Sequence, residues 1–213
     1  MILSPMAMAA NVTKTNNQSW YSIKAKANDT AEISIYDEIG FWGVSAASFA
    51  PVSYTHLFGS ELRLSPVGAE IIGNAEGCMA TPYKCPADVL TVGIGSTEYS
   101  GQKIELGKKY TNEEIAYRWK NDIKLAESCV DRYANGRALP QSVFDAMVSV
   151  TFNNGCGNLK NSTMFRLMRS GKYIDGCNQL TRWVYADGRK LQGLIKRREK
   201  ERALCLADLK STQ

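Results

Sequence analysis

One short stretch with strand character, set among segments with helical spacing, most constrains the fold of this chain. Residues 78–100 are rich in Gly, Pro, Thr and Ser and contain the β-branched run VLTVGIGST. This composition favours a small antiparallel sheet over a helix. Just before it, Ser65-Pro66 is an N-cap followed by proline at the first helical position, and Glu76-Gly77 ends the helix that they begin. The sequence therefore predicts a helix that leads directly into a small sheet.

After the sheet, the chain has the apolar spacing of several helices. TNEE, from Thr111 to Glu114, is a capping box followed by helical spacing. LPQSVFDAMVSVTFNNG predicts another helix, which Asn154-Gly155 stops. Three more are predicted in NSTMFRLMRSG, IDGCNQLTRWVYADG and GLIKRREKERALCLADL, the last of them basic and amphipathic. A small antiparallel sheet followed by a mostly helical bundle is an α+β fold.

The first 57 residues differ from the rest of the chain in charge and pattern. They carry a net charge of −1, whereas the remainder carries +6. AEISIYDEI alternates as a strand does, with Ile33 and Ile35 on one side. A lone strand cannot close a sheet, so we expect this segment to be poorly ordered or packed opportunistically. The sequence predicts that residues 1–57 are not an independent domain and that residues 58–213 form the functional one.

Two resemblances bear on the origin of residues 1–57. Residues 20–49 resemble the start of Clp-like prophage head-maturation proteases, but the serine nucleophile and the rest of that domain are missing. PVSYTHL, residues 51–57, is what a transposase mosaic end used in making sequencing libraries encodes in this frame. One hypothesis is that residues 1–57 are a chimeric fragment of another gene, joined artificially. A natural linker is the alternative.

Composition argues against several classes of function. All six cysteines lie after residue 77, an even number compatible with three disulfides and an oxidising place of action. No CxxC pair is present and His56 is the single histidine, so a zinc site of the usual kind is not expected. The chain lacks a phosphate loop, a dinucleotide fingerprint and an apolar run of eighteen residues. We predict no cofactor, no metal and no membrane span.

Glu76, Cys85 and Thr91 form a compact constellation that suits cleavage of a sugar chain. Hydrolysis of a glycosidic bond needs a proton for the departing oxygen and a helper for the attacking water. Glu76 at the end of a buried helix would be partly desolvated, which favours the protonated form of a carboxyl group. A hairpin folded back across the helix end would place positions 85 and 91 opposite it. The alternative interpretation of Glu76 is an ordinary residue at a helix C-terminus.

The same residues resemble a family signature. Glutamate, eight residues, Cys85, five residues and threonine is the spacing of tailed-phage lysozymes, the endolysins of glycoside hydrolase family twenty-four. FNNG, NSTMFRLM and CNQLTRWVYADGRKLQGLIKRREKERALCL are similar to later blocks of that family, so the resemblance covers residues 64–209. It implies a lysozyme-like fold and a muramidase that cuts the β-1,4 bond between N-acetylmuramic acid and N-acetylglucosamine in peptidoglycan. In this reading Glu76 is the general acid and Thr91 positions water.

Three positions depart from the family pattern. Cys85 stands where aspartate is common, and it either assists water as a thiolate or braces the hairpin in a disulfide, for example with Cys78. Asp88 stands where the family usually has glycine. Ser96 replaces a histidine that is structural in the family, so its effect is expected on stability more than on catalysis.

Further residues have a functional and a plain structural interpretation. Asn153, Ser162, Thr163 and Trp183 are candidates for binding the sugar, although the first three equally suit helix capping and Trp183 suits the core. Arg197 and Arg198 suggest a solvated face or a contact with the anionic wall. Cys177 paired with Cys205 would tie the last two helices together, and free buried thiols are the alternative for these two, Cys129 and Cys156.

The resemblance also implies a biological setting. The expected partner is peptidoglycan, the protein is expected to be a monomer, and no motif supports nucleic-acid binding despite the basic charge. Synthesis in the cytoplasm of the host bacterium and action on the wall in the periplasm are implied, leading to host lysis. Release would depend on a pore-forming holin unless the original N-terminus was replaced at the join. The rival function is a catalytically impaired, lysozyme-like protein that binds the wall.

Overall fold

The computed structural model describes residues 21–26, 30–35, 52–53, 62–76, 78–84, 88–186 and 188–209, the first three ranges by their backbone alone. β1 (Tyr21–Lys26), β2 (Thr30–Ile35) and β3 (Val52–Ser53) form an antiparallel sheet in the order β1-β2-β3. The predicted strand is therefore present as β2, but the expectation that it stands alone is wrong, because it pairs on both sides. β1 also lies beside the helix that follows in the chain.

That helix, α1 (Pro66–Ala75), begins and ends where the sequence predicts. Ser65 is the N-cap, and its hydroxyl accepts a hydrogen bond from the Gly68 amide at 3.2 Å. Glu76 is the C-cap, with its own amide donating to the Gly73 carbonyl at 3.2 Å. A side chain at Gly68 would clash with Asp145, so this glycine lets α1 approach the central helix of the bundle. The close contact between α1 and the central helix therefore fixes the position of Glu76 at the end of α1.

The predicted small sheet follows at once. β4 (Cys78–Lys84), β5 (Leu90–Ile94) and β6 (Ser96–Thr97) are antiparallel in the order β4-β5-β6, with a register shift in β4 between Met79 and Tyr83. A short 3-10 turn, Glu98–Ser100, closes the sheet. Gly93 has a φ of +62°, and a Cβ there would lie 2.8 Å from Ile115, so glycine allows β5 to pack closely on the next helix.

The helical bundle is built around two central helices. α2 (Asn112–Ala134) starts at the predicted capping box, in which Thr111 and Glu114 exchange both hydrogen bonds, at 3.3 Å and 2.9 Å. α3 (Gln141–Asn154) runs through the core, and every residue from 142 to 151 is buried. Around them lie α4 (Cys156–Leu159), α5 (Thr163–Arg169), α6 (Tyr173–Asn178) and α7 (Gln192–Cys205), with a hairpin of β7 (Tyr185–Ala186) and β8 (Arg189–Lys190) before α7. The α+β prediction is confirmed.

Two disulfides tie helices of the bundle together. Cys177–Cys205 joins the end of α6 to the end of α7 across 28 positions, which is one of the two alternatives that the sequence left open. Cys129–Cys156 joins α2 to α4 across 27 positions. Both loops are long enough for a cross-link to restrict the unfolded chain substantially, by about 3 kcal/mol each. Cys85 and the side chain of Cys78 lie outside the described residues.

Two features of the described residues concern membranes and metals. None of the helices in this part of the chain is long and apolar enough to cross a membrane. No group of three His, Cys, Asp or Glu side chains in the same residues is arranged to hold a metal ion.

Candidate active site

Glu76 lies where α1, the small sheet and α7 meet. Its carboxyl is half-buried, and Oε1 accepts a hydrogen bond from Nη1 of Arg197 at 2.5 Å. Gly95, in the turn between β5 and β6, covers the other side: a Cβ added there would lie 3.1 Å from Oε2 of Glu76. Because Gly95 also has a φ of +71°, a side chain would be both crowded and strained at this position. The sheet and α7 therefore hold the carboxyl from two sides.

Behind Glu76 is a buried network of charges on α7. Nε of Arg197 donates to Glu201 Oε1 at 3.0 Å, and Arg198 donates to the other oxygen of Glu201. The Ser149 hydroxyl donates to Glu201 at 2.6 Å, so that the carboxylate is fully engaged. Two arginines thus face two glutamates, which balances the buried charge.

The prediction that Arg197 and Arg198 form a solvated face is wrong. They are 7% and 1% exposed, respectively, because α7 packs its charged side against α3. Burial lowers the pKa of Arg198 to about 10. Burial would lower that of Arg197 too, but the neighbouring Glu76 and Glu201 carboxylates raise its pKa above the ordinary value. Both guanidinium groups therefore stay cationic at neutral pH.

A cavity of about 250 Å³ opens beside Glu76 between the sheet and the bundle. Its described lining includes Gly95, Thr97 and Tyr99 from the sheet side. The bundle contributes Phe152 and a second carboxyl group, that of Asp122 on α2. The pKa of Asp122 is raised by burial, an effect that the Ser96 and Ser100 hydroxyls and the charge of Arg118 partly oppose. The cavity is thus a cleft that holds two carboxyl groups.

The other two members of the predicted constellation, Thr91 and Cys85, are not among the described residues that line the cavity. Thr91 is the second residue of β5, is 3% exposed, and donates its hydroxyl to the Val89 carbonyl at 3.0 Å. Its partner across the ladder is Thr97, which does line the cavity. Cys85 lies outside the described residues. Of the three, the structure thus describes Glu76 at the cleft and Thr91 one strand behind it.

Two departures from the family pattern lie in or beside the small sheet. Asp88 adopts the left-handed conformation, with a φ of 59°, and forms an exposed ion pair with Lys84 at 2.8 Å. Ser96 is fully buried, and its hydroxyl lies close enough to the Asp122 carboxyl to lower the pKa of that group. The residue that replaces histidine is therefore part of the contact between the sheet and α2.

Of the predicted sugar-binding residues, Asn153 is the one that lies with Glu76. It lines the cavity and accepts a hydrogen bond from Arg198. Ser162 is the N-cap of α5 and accepts from the Phe165 amide at 3.1 Å, while Thr163 is the first residue of that helix. Trp183 is half-buried and packs against the core. None of these last three is among the described residues that line the cavity.

A second, larger groove of about 900 Å³ continues from the other side of Glu76, between α1 and α7. Glu76 and Asn153 line both spaces. The groove walls include Ile71 of α1 and Leu194, Lys196 and Lys200 of α7. Glu76 therefore stands at the junction of the cleft and the groove, in the wall of both.

Sequence reasoning missed Asp122 and the role of Arg197. Asp122 sits in a long amphipathic helix, where an acidic residue resembles ordinary surface. For Arg197, the spacing to Glu201 of four positions, with Arg198 three positions from the same glutamate, is a signal for paired charges on one helix face. Such spacing does not reveal whether the ion pairs are exposed or buried.

Comparison with known proteins agrees with this geometry. Residues 73–201 match the phage lysozyme family model. The SAR-endolysin of Haemophilus phage HP1 is 40% identical over 157 residues, 68% of this chain and 82% of that protein. The SAR-endolysin of Escherichia phage P1 is 38% identical over 159 residues, 70% of this chain and 84% of that protein.

Solved structures give the same answer. The crystal structure of the active form of the P1 phage endolysin Lyz matches with a TM-score of 0.68 and 36% identity, covering 75% of this chain and 94% of that one. The endolysin from the Escherichia coli O157:H7 phage FAHEc1 matches with a TM-score of 0.61 and 26% identity, covering 70% and 96%. The chain belongs to the phage lysozyme family and is a glycoside hydrolase of the lysozyme class.

Proposed function

We propose that this protein is an endolysin, a muramidase that hydrolyses the β-1,4 bond between N-acetylmuramic acid and N-acetylglucosamine in bacterial peptidoglycan and so lyses the host cell. The observation that carries this proposal is the placement of Glu76. Its carboxyl lies on the last turn of a fixed helix, at the junction of a cleft and a groove, held between Arg197 and Gly95. The family membership and the names of the endolysin relatives support the same substrate.

Glu76 acts as the general acid. Its protonated carboxyl donates to the glycosidic oxygen while the bond from that oxygen to C1 of the sugar breaks, and a water attacks C1. Arg197 contacts Oε1, whereas Oε2 lies beside Gly95, which itself lines the cleft. This division fixes the orientation of the carboxyl, which a proton transfer requires. Thr91 and Cys85 are proposed to orient the water and to assist or brace the hairpin, as the family signature implies.

The setting follows from the substrate. Peptidoglycan is reached from the periplasm, so we infer synthesis in the host cytoplasm and action on the wall in the periplasm. Two disulfides in the bundle support an oxidising place of action. A monomer suffices, because the cleft and the groove are built from one chain.

The test compares the full chain with Glu76→Gln on outer-membrane-stripped Gram-negative cells. Glutamine keeps the size of the side chain and cannot donate a carboxyl proton. We expect reducing-end release and turbidity loss to fall at least about 100-fold. Glu113→Gln, an exposed substitution in the first turn of α2, is the matched control and should leave the rate unchanged.

Retention of full activity in the Glu76→Gln protein would overturn the assignment of the acid. The second candidate, a wall-binding protein with impaired catalysis, is favoured by one observation: the Thr91 hydroxyl is buried and already donates to a carbonyl. Sedimentation of the unchanged chain with the wall, without any release of reducing sugar, would select this candidate.

A further inference from the structure

The groove between α1 and α7 differs in charge from the cleft on the other side of Glu76. Lys196 and Lys200 lie one helical turn apart on α7, both are exposed, and both line the groove. Neither forms an ion pair within the described part of the chain. The described lining of the cleft, by contrast, contains the carboxyls of Glu76 and Asp122 and no lysine or arginine.

Arg197 does not add to the free charge of the groove. Its guanidinium group is held between Glu76 and Glu201, so its charge is balanced within the protein. Besides Glu76, the groove wall contains one more acidic residue among those described, Glu70 on α1. The two lysines therefore provide the positive charge that a ligand in this groove would meet.

We propose that this groove binds the carboxylate-bearing stem peptide attached to the muramic acid residues of the glycan, and that Lys196 and Lys200 recognise its carboxylates. This inference rests on the proposed function. The sugar rings carry no charge of their own, and the carboxylates of the intact substrate are on the stem peptide. Two groove lysines without an ion-pair partner therefore match the peptide and not the sugar ring. A lysine is a point charge on a flexible stem, which suits carboxylates whose position varies along a peptide.

The size and lining of the groove agree with a short peptide. A volume of about 900 Å³ lies at the upper end of the range for ligand sites. Ile71 and Leu194 provide apolar walls, and Asn74 and Asn153 provide amides for a peptide backbone. Because Glu76 lies at the junction, a peptide held in the groove would place its sugar over the acid. Binding energy away from the bond would then contribute to cleavage.

The test uses two forms of one substrate: intact peptidoglycan and the same glycan after an amidase has removed the stem peptides, which leaves the lactyl carboxylate on the sugar. The full chain is compared with the double variant Lys196→Gln, Lys200→Gln. We expect kcat/KM on intact peptidoglycan to fall about tenfold and kcat/KM on the stripped glycan to change less than about twofold. Lys160→Gln with Lys172→Gln, exposed lysines outside both spaces, is the matched control.

Equal losses on the two substrates would overturn the assignment to the peptide. Absence of activity on both substrates in the unchanged chain would instead contradict the proposed function. A binding measurement then decides on the groove independently of catalysis. Calorimetry with a soluble disaccharide-peptide and with the same disaccharide lacking the peptide should show a gain in affinity from the peptide that the double variant loses. No gain in the unchanged chain would overturn the inference.

Discussion

The two ends of α1 are held by buried charges arranged in opposite ways. At its C-terminal end, Glu76 joins a network in which two arginines face two glutamates. At its N-terminal end, the chain is held by two acids: the Leu64 amide donates to Glu127 at 2.6 Å and the Ser65 amide donates to Asp145 at 3.0 Å. One end is balanced in charge and the other is not.

No ion pair offsets the acids at the N-terminal end within the described residues. Arg63, whose charge lowers the pKa of Asp145 against the larger effect of burial, donates to the carbonyls of Gly136 and Leu139 at 2.5 and 2.6 Å. Burial, reinforced by the neighbouring Asp131 and Asp145, raises the pKa of Glu127 to about 7, although backbone amides oppose the change. Glu127 therefore makes the anchoring end of the helix sensitive to pH.

The largest effect is expected from breaking the balanced end. Glu201→Gln leaves the guanidinium groups of Arg197 and Arg198 buried with only Glu76 to offset them. The free energy of unfolding should fall by about 3–5 kcal/mol, as when one partner of a buried ion pair is removed. Urea denaturation measures it. Glu199→Gln, exposed on the same helix, should change it by less than about 0.5 kcal/mol. A loss below about 1 kcal/mol for Glu201→Gln would mean that the network is not stabilising.

At the pH-sensitive end, a substitution is expected to change the free energy of unfolding in the opposite direction. Because the folded-state pKa of Glu127 is raised from 4.5 to about 7, its contribution to stability is fully present below pH 4.5 and is lost as the pH rises through 7. Glu127→Gln removes this titration while keeping an oxygen that accepts from Leu64. The variant should therefore gain about 2–3 kcal/mol relative to the unchanged chain between pH 5 and pH 8.

Urea denaturation of both proteins at pH 5, 6, 7 and 8 checks this second prediction. The expected signature is a stability difference that widens with pH. Curves that run parallel across this range would show that Glu127 does not titrate with the fold.

A smaller effect sharpens the comparison at the same end. The Ser65 hydroxyl accepts from the Gly68 amide and donates to Asp145, so Ser65→Ala removes the cap and one donor to a buried carboxylate. A loss of about 1 kcal/mol in the free energy of unfolding is expected. Ser128→Ala, whose exposed hydroxyl bonds to a carbonyl within α2, is the control. Equal losses for the two substitutions would contradict the anchoring role of Ser65.

Much of the fold could be predicted because its signals are local. Ser65-Pro66, the Glu76-Gly77 stop and the Thr111 to Glu114 box each rest on residues within a few positions of one another, and each marks a helix boundary in the structure. The small sheet followed from the composition of residues 78–100. Such features need no knowledge of distant partners.

What could not be predicted depends on long-range contacts. Arg197 meets Glu76 across 121 positions, and Arg198 meets Asn153 across 45. On its inner side, α7 carries paired charges in place of apolar residues. Its sequence therefore resembles that of an exposed helix. Asp122 joins Glu76 only through the shape of the cleft. The role of Thr91 stays a prediction, since its hydroxyl lies one strand behind the cavity.

The positions of the two described disulfides have a consequence for how such a gene can change. Both cross-links lie within residues 129–205, and neither reaches α1, the small sheet or the N-terminal strands. The attachment of α1 to the bundle therefore rests on noncovalent contacts, which begin with hydrogen bonds from the Arg63 side chain and the Leu64 amide. Recombination can exchange the coding sequence upstream of this point without changing either cross-link, as long as the backbone at positions 64 and 65 still bonds to Glu127 and Asp145.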